Sequence, residues 1–241
     1  MTRLRSLTLC ACLALSLAAM ACSSSSSDGG VKGGSAAGGA GGGAAGSSGS
    51  SLWDEARIAN TGTDWWLNIR KGAYFFSLDI TRALQDDTVG RKAVIDFGKA
   101  VAAKLKSASP APATLAPAAN EVSGWTFDPD SAMTAAGPAS ATNDAEAENL
   151  IDGGAAAFFD PNEPYQAKGL AWEIYVSGTY RLDLQVWQMA NAQDATVLYT
   201  DLLKSSSLYS NASFVACSGT DPANPCGTCT GSDPANPCGA P

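Results

Sequence analysis

"GAYFFSLDI" at residues 72–80 and "GTYRLDLQV" at 178–186 lie on each other without a gap, at an offset of 106. Gly72 meets Gly178, Tyr74 meets Tyr180, Phe76 meets Leu182 and Leu78 meets Leu184. The even positions of both are apolar, the period-two pattern of a strand with one buried face. Upstream the apolar residues alternate again, as Trp65, Leu67 and Ile69 and as Trp172, Ile174 and Val176, now at an offset of 107. Each half therefore reads as a β-hairpin. Both strands of a hairpin bury their apolar set only if the first turn spans an even number of residues, 70–73 or the pair Lys71 and Gly72, and the second spans three, 177–179. This register turns Trp65 and Trp172 to the core. It places Trp66, Asn68, Phe75, Arg181, Asp183, Gln185 and Trp187 together on the opposite face.

A helix pattern follows each hairpin. Val94, Phe97, Val101 and Leu105 recur at helical spacing, as do Ala195, Leu198, Tyr199 and Leu202, with Asn191 placed as an N-cap and Asp194 in the first turn. A short helix is expected at 52–58 and a longer one after Asn143, where Glu146 completes a capping box and Ala147, Leu150, Ile151, Gly154 and Phe158 share a face. Gly153 and Gly154 fall inside that pattern. A phosphate-cradling loop instead joins a strand to a helix and carries a Lys-Ser/Thr pair, so the glycines read as a thinning of the helix for close packing. The unit is helix, hairpin, helix, used at 51–106 and again at 121–205. The expected fold is α+β, an antiparallel sheet built from two β-hairpins, each flanked by helices, with the helices mainly on one face.

Four stretches carry a family likeness: "GWTF" (124–127), "ENLIDGGAAAFF" (148–159), "GLAWEIYVSGTYRLDLQVWQM" (169–189) and "DATVLYTDLL" (194–203). Together they resemble a domain of unknown function found in bacterial exported proteins. That family runs from a Gly-Trp start through an Ile-Asn-Gly-Gly-Ala helix to two strands and an Ala-rich helix. Asp152 stands where the family more often has Asn, and Gln188 where it usually has Asp. The unit at 63–106 precedes this segment, whereas in the family a second hairpin-helix follows it, as a permutation or rearranged duplication would produce. The resemblance implies a fold and an exported location, and no activity.

The ends of the chain bear on location. Arg3 and Arg5 precede an apolar run, residues 7–21, too short to span a membrane, and Ala18-Ala19-Met20-Ala21 leads to Cys22 and five serines. This pattern resembles a bacterial lipoprotein signal, residues 1–21, with Cys22 taking the lipid; a simple cleaved signal is the alternative. Acyl burial contributes about 0.8 kcal/mol per CH₂, so several chains would hold the protein to a membrane, here expected to be the outer membrane of a bacterial envelope. Residues 22–50, nearly all Ser, Gly and Ala, read as a flexible tether, and 107–119 as a stiffer Pro/Ala linker inside one domain spanning 51–205.

Composition excludes several chemistries. Without Arg3 and Arg5 the chain keeps thirteen Lys and Arg against twenty-three Asp and Glu, a net charge of −10, which argues against nucleic acid and anionic lipid surfaces as partners. The absence of histidine excludes a Ser-His-Asp triad, a Cys-His pair and any His-ligated zinc or haem. In the tail, residues 206–241, Cys217, Cys226, Cys229 and Cys238 are spaced symmetrically because "DPANPCG" occurs at 221–227 and 233–239. In an exported protein these read as two disulfides, either nested or as two consecutive loops, ahead of a zinc site or a redox pair.

Asp128, Asp130, Asp160 and Glu163 lie in proline-bearing turns and read as solvated acids. A glycosidase pair or a Ca²⁺ site is the sharper alternative. No cofactor or metal is expected. The candidate binding face is Trp66, Phe75, Arg181, Asp183, Gln185 and Trp187, an aromatic and polar platform for a glycan or an envelope protein if no segment covers it. The expected function is that of a membrane-anchored, non-enzymatic binding or scaffold domain. The alternative is a carboxylate-dependent envelope hydrolase acting on glycans.

Overall fold

The computed structural model describes residues 51–60, 64–81, 87–105, 109–151, 156–160, 165–205 and 214–226. Cys22, the expected leader and tether, Gly153, Gly154, Glu163, Cys229 and Cys238 lie outside them. The fold is α+β, with eight strands among the described residues forming one antiparallel sheet. The strands are β1 (Glu55–Asn60), β2 (Asp64–Lys71), β3 (Tyr74–Thr81), β4 (Thr126–Phe127), β5 (Ala139–Ala141), β6 (Ala167–Ser177), β7 (Tyr180–Met189) and β8 (Val215–Ala216). The helices are α1 (Asp87–Lys104), α2 (Pro112–Leu115), α3 (Asp144–Ile151), α4 (Ala156–Phe159) and α5 (Ala192–Ser205). The order across the sheet is β4-β6-β7-β3-β2-β1-β8, and β5 also pairs with β6.

The two hairpins are β2–β3 and β6–β7, and they join through β3 and β7. Lys71 pairs with Tyr74 and Ser177 with Tyr180, so both turns contain two residues, Gly72-Ala73 and Gly178-Thr179. Each begins with a glycine in the left-handed region, φ 56° and 57°, as hairpin turns of the type II′ kind require. The offset of 106 thus carries through the turn. Leu78 faces Leu184, its own equivalent, and Phe76 and Ile80 face Val186 and Leu182, so a twofold axis through the leucine pair exchanges the hairpins.

The second turn corrects the expected register. With two residues instead of three, Trp172, Ile174 and Val176 pair with Gln185, Asp183 and Arg181 on the second sheet face, while Ala171, Glu173 and Tyr175 join Leu182, Leu184 and Val186 on the first. Trp172 therefore does not point into the first core. Apolar alternation misleads here because both faces of β6 are covered. A shift between Ala167 and Gly169 absorbs the irregularity at the far end of the pair.

The first face packs on α1. Val94, Phe97 and Val101 of the helix and Trp65, Leu67, Ile69, Phe76, Leu78 and Ile80 of the sheet are essentially inaccessible. Close approach depends on Gly98: a Cβ there would come within 2.8 Å of Ile69 Cδ1 and 2.9 Å of Leu67 Cδ2. Glycine thins a helix at this point, in α1. Residues 109–122 pack on the same core, with Leu115 1 % exposed and the Pro117 carbonyl accepting from Tyr175 Oη at 2.7 Å. Lys104 Nζ ties them to α1 through Ala116 O and Glu121, both at 2.8 Å. Much of the Pro/Ala stretch is therefore core material.

The second face packs on α3, α4 and α5 through Phe75, Leu170, Trp187 and Met189 against Ala147, Phe158, Ala195, Leu198 and Tyr199. The helices are thus shared between the faces rather than kept mainly on one, because the second face carries apolar rows of its own at one end. The Asn191 carboxamide oxygen caps α5, accepting from the N–H of Gln193 and Asp194, and Asn143 caps α3 through the Glu146 N–H at 3.1 Å. The expected helix at 52–58 is absent. Residues 55–60 form β1, where Ala56 and Ile58 alternate inward opposite Ile69 and Leu67.

Part of the tail belongs to the domain. β8 pairs with β1, Cys217 is bonded to Cys226, and both cysteines are buried. Trp53 Nε1 donates to Cys217 O at 2.8 Å, and the Leu52 N–H donates to Gly219 O at 3.1 Å. Of the two feasible pairings the consecutive-loop one accounts for this bond.

Candidate functional site

The register lays the second face out in four rows across β2, β3, β7 and β6. Nearest the β6–β7 turn stand Asp64, Thr81, Arg181 and Val176; then Trp66, Asp79, Asp183 and Ile174; then Asn68, Ser77, Gln185 and Trp172; then Arg70, Phe75, Trp187 and Leu170. The last row is the one the helices seal. Tyr199 of α5 meets Phe75 edge-on with centroids 6.3 Å apart, and Phe158 of α4 lies 4.8 Å from Trp187.

All six residues expected to form the binding face lie on this side of the sheet, but their exposures differ. Phe75, Trp187 and Trp66 are buried, at 1, 4 and 8 %. Arg181, Asp183 and Gln185 are half-buried, and Trp172 joins them at the end of the Gln185 row. What reaches solvent is a strip of Arg181, Asp183, Gln185 and Trp172 along β7 and β6, together with Asp64, Arg70, Ser77 and Thr81 on β2 and β3.

Arg181 organises the strip. Its Nη1 donates to Asp128 Oδ2 at 3.2 Å and its Nε to Asp183 Oδ2 at 3.3 Å, while Trp172 Nε1 donates to Asp183 Oδ1 at 3.3 Å. Trp187 Nε1 reaches Gln185 Oε1 at 3.2 Å. Asp128, arriving from the end of β4, also accepts the Asp130 N–H at 3.0 Å. The acid considered for catalysis at 128 is thus committed to an ion pair and a turn. Asp130 is exposed, and Asp160 lies at the end of α4.

Two polar groups on this face lack partners. Asn68 is fully buried, and neither its Nδ2 nor its Oδ1 has a hydrogen-bond partner among the described residues; the same holds for Oδ1 of Asp79. A buried donor or acceptor left unpaired costs about 1–3 kcal/mol, so three such atoms within two neighbouring rows are unusual. Burial holds the Asp79 carboxyl well above the usual carboxylate range, Asp64 and Asp183 push it the same way, and Arg181 opposes them. Burial also raises Asp183, against the pull of Arg181 and Trp172.

A further acid, on the first face, was not legible as special. Glu173 is fully buried between Ala171 and Tyr175, where the pairing of β6 passes from β5 to β4. Its Oε1 accepts the Ile174 N–H at 2.8 Å. Burial pushes the carboxyl up to about 7, opposed by that N–H and by Thr134. Its role is to close a gap in the ladder. The signal that placed it was the turn: reading Gly178-Thr179 by analogy with Gly72-Ala73 puts Glu173 on the inner face.

Among the described residues no group of three His, Cys, Asp or Glu side chains is placed to hold a metal ion, and no helix is long and apolar enough to cross a membrane. Comparison with protein-family models, curated proteins and solved structures found no match.

Proposed function

We propose that the chain is a bacterial envelope lipoprotein whose α+β domain is a non-enzymatic binding module, held to the membrane through lipid on Cys22 and presented on the Ser/Gly/Ala tether. The observation that carries the binding reading is the polar strip of Arg181, Asp183, Gln185 and Trp172, half-buried beside the Asn68 carboxamide and Asp79 Oδ1, which have no hydrogen-bond partner among the described residues. Three further features support it. The apolar leader ends at Cys22, the chain lacks histidine, and Asp128, the acid nearest the strip's cation, is paired with Arg181.

The test has two arms. Envelope fractions from cells making the protein should release it only with detergent, and globomycin should accumulate the unprocessed form; a processed product free of lipid overturns the anchor. Purified protein should be retained by isolated envelope material, and the double variant Trp172→Ala/Gln185→Ala should lose at least tenfold of that retention while keeping its unfolding midpoint. Equal retention of variant and parent overturns the binding face.

A further inference from the structure

We infer that Cys229 and Cys238 close a second disulfide loop of the same form as the first, so that the tail is a tandem array of one loop-forming unit. "CSGTDPANPC" (217–226) and "CTGSDPANPC" (229–238) are identical at eight of ten positions, at an offset of 12. The two differences exchange one hydroxyl for another, Ser218 for Thr230 and Thr220 for Ser232. The first unit shows what these letters do, because the Cys217–Cys226 bond is accompanied by hydrogen bonds inside its own ring. The Gly219 N–H donates across the ring to Pro225 O at 3.1 Å, beside the two cysteines, and draws the ends together. Asp221 makes the turn: its Oδ1 accepts the Ala223 N–H at 2.9 Å and its carbonyl accepts the Asn224 N–H at 3.2 Å. Ser218 Oγ and Thr220 Oγ1 share a hydrogen bond of 3.0 Å, and Gly219 has φ 66°, in the left-handed region that favours glycine.

Each of these groups recurs twelve residues on, in Gly231, Asp233, Ala235, Asn236 and Pro237, with Thr230 and Ser232 as the hydroxyl pair. The contacts that dock the first ring on the domain are separate from those that shape it. Ser51 Oγ, the Leu52 N–H and Trp53 Nε1 donate to the carbonyls of Ser218, Gly219 and Cys217. They fix where the ring sits, so closure of the second unit asks for nothing outside its ten residues. Pairing by unit also uses every cysteine of the tail. With Cys217 and Cys226 joined and buried, a structural zinc site would have two thiolates and no histidine, short of its four ligands. Cys226-Gly-Thr-Cys229 is then the junction between two rings and not a redox pair. Closure is a two-electron oxidation by a disulfide-bearing oxidant. The Cys229 thiolate attacks one oxidant sulfur, the Cys238 thiolate displaces it, and the oxidant leaves as two thiols carrying the two protons.

The test is disulfide mapping of the mature chain, purified without reductant after its free thiols are blocked with N-ethylmaleimide. Cleavage after Lys204 yields a peptide, 205–241, that holds all four tail cysteines. It should carry no maleimide and lack two hydrogens for each of two bonds. Cleavage ahead of Asp221 and Asp233 then cuts inside both rings. Fragmentation between Cys226 and Cys229 should leave 205–220 joined to Cys226 and 233–241 joined to Cys229. Release of 221–232 closed only on itself, a bond from Cys217 to Cys229, or maleimide on Cys229 and Cys238 each overturns the pairing. The shared form has its own readout in a glutathione redox buffer. Gly231→Val should lower the ratio of closed to open second ring at least fivefold, through strain at the left-handed position, while the first ring stays closed. An unchanged ratio shows that Cys229 and Cys238 meet without the conformation of the first ring, and overturns that part of the proposal.

Discussion

Asp79 stands directly opposite Asp183 across the β3–β7 ladder, two acids facing each other beside a single arginine. Like charges placed so are destabilising, and both carboxyls are raised by burial. A carboxyl whose folded pKa is raised contributes stability below its unfolded pKa and loses it as pH rises through the folded value. Asp79→Asn should therefore match the parent near pH 4 and exceed it by about 1 kcal/mol at pH 8. Urea midpoints across that range check this; parallel curves refute it.

Glu173 extends the same logic on the other face. Its carboxyl is pushed up to about 7, so the stability it contributes is fully present below pH 4 and fades as pH rises through 7. The parent should lose on the order of 2 kcal/mol between pH 5 and pH 8, and Glu173→Gln, which keeps an acceptor for the Ile174 N–H, should flatten that slope. Glu173→Ala should be less stable than the parent by about 1–3 kcal/mol at pH 5, because the Ile174 N–H is left unpaired, and the gap should close as the parent loses stability toward pH 8. Thermal melts in buffered series separate the two variants.

The Cys217–Cys226 bond closes a short loop of sequence separation 9. Chain-entropy arguments assign such a crosslink about 2–3 kcal/mol. The double variant Cys217→Ser/Cys226→Ser should unfold at correspondingly lower guanidinium, and Trp53 fluorescence should change with it, because the Trp53 indole donates to the Cys217 carbonyl. An unchanged midpoint would show that the strap is held by β8 alone.

Two glycines should resist alanine for different reasons. At Gly98 a methyl meets buried ends of Ile69 and Leu67, and overpacking costs of about 1–3 kcal/mol outweigh the roughly 1 kcal/mol of helix propensity gained. At Gly219 φ is 66° and the methyl meets Trp53 Nε1 at 2.7 Å, so backbone strain of about 1–2 kcal/mol adds to a clash. Gly178→Ala, at φ 57° with open space around it, should lose only the backbone part. The ranking Gly219→Ala below Gly178→Ala in melting temperature checks the argument.

The hairpins were legible because Gly72 and Gly178 mark the same left-handed position and alternate residues follow them. The face of Trp172 was not. Its apolar neighbours Ile174 and Val176 look like a buried set, and only the two-residue turn reveals that the inner positions are Ala171, Glu173 and Tyr175. Hydrophobicity cannot orient a strand that is covered on both sides. Trp53 and residues 109–122 were unreadable for another reason: apart from the four residues of α2 they lie in chain with no period, and their burial follows from long-range docking. The polar members of the site shared a face in any register that kept Trp66 with Trp187, whereas the burial of the Asn68 carboxamide and Asp79 Oδ1 with no partner among the described residues is a property of packing that no pattern of letters encodes.

The pairing of β8 with β1 also sets how the domain bears load. A pull on the chain ahead of Leu52 enters at Ser51, Leu52 and Trp53, where each residue is hydrogen-bonded to the loop that Cys217 and Cys226 close. The force is then divided between β1 in the sheet and a covalent ring beside it, and hydrogen bonds on both edges of β1 must slide before the strand can peel away. A domain hung from that end would behave as a shear clamp.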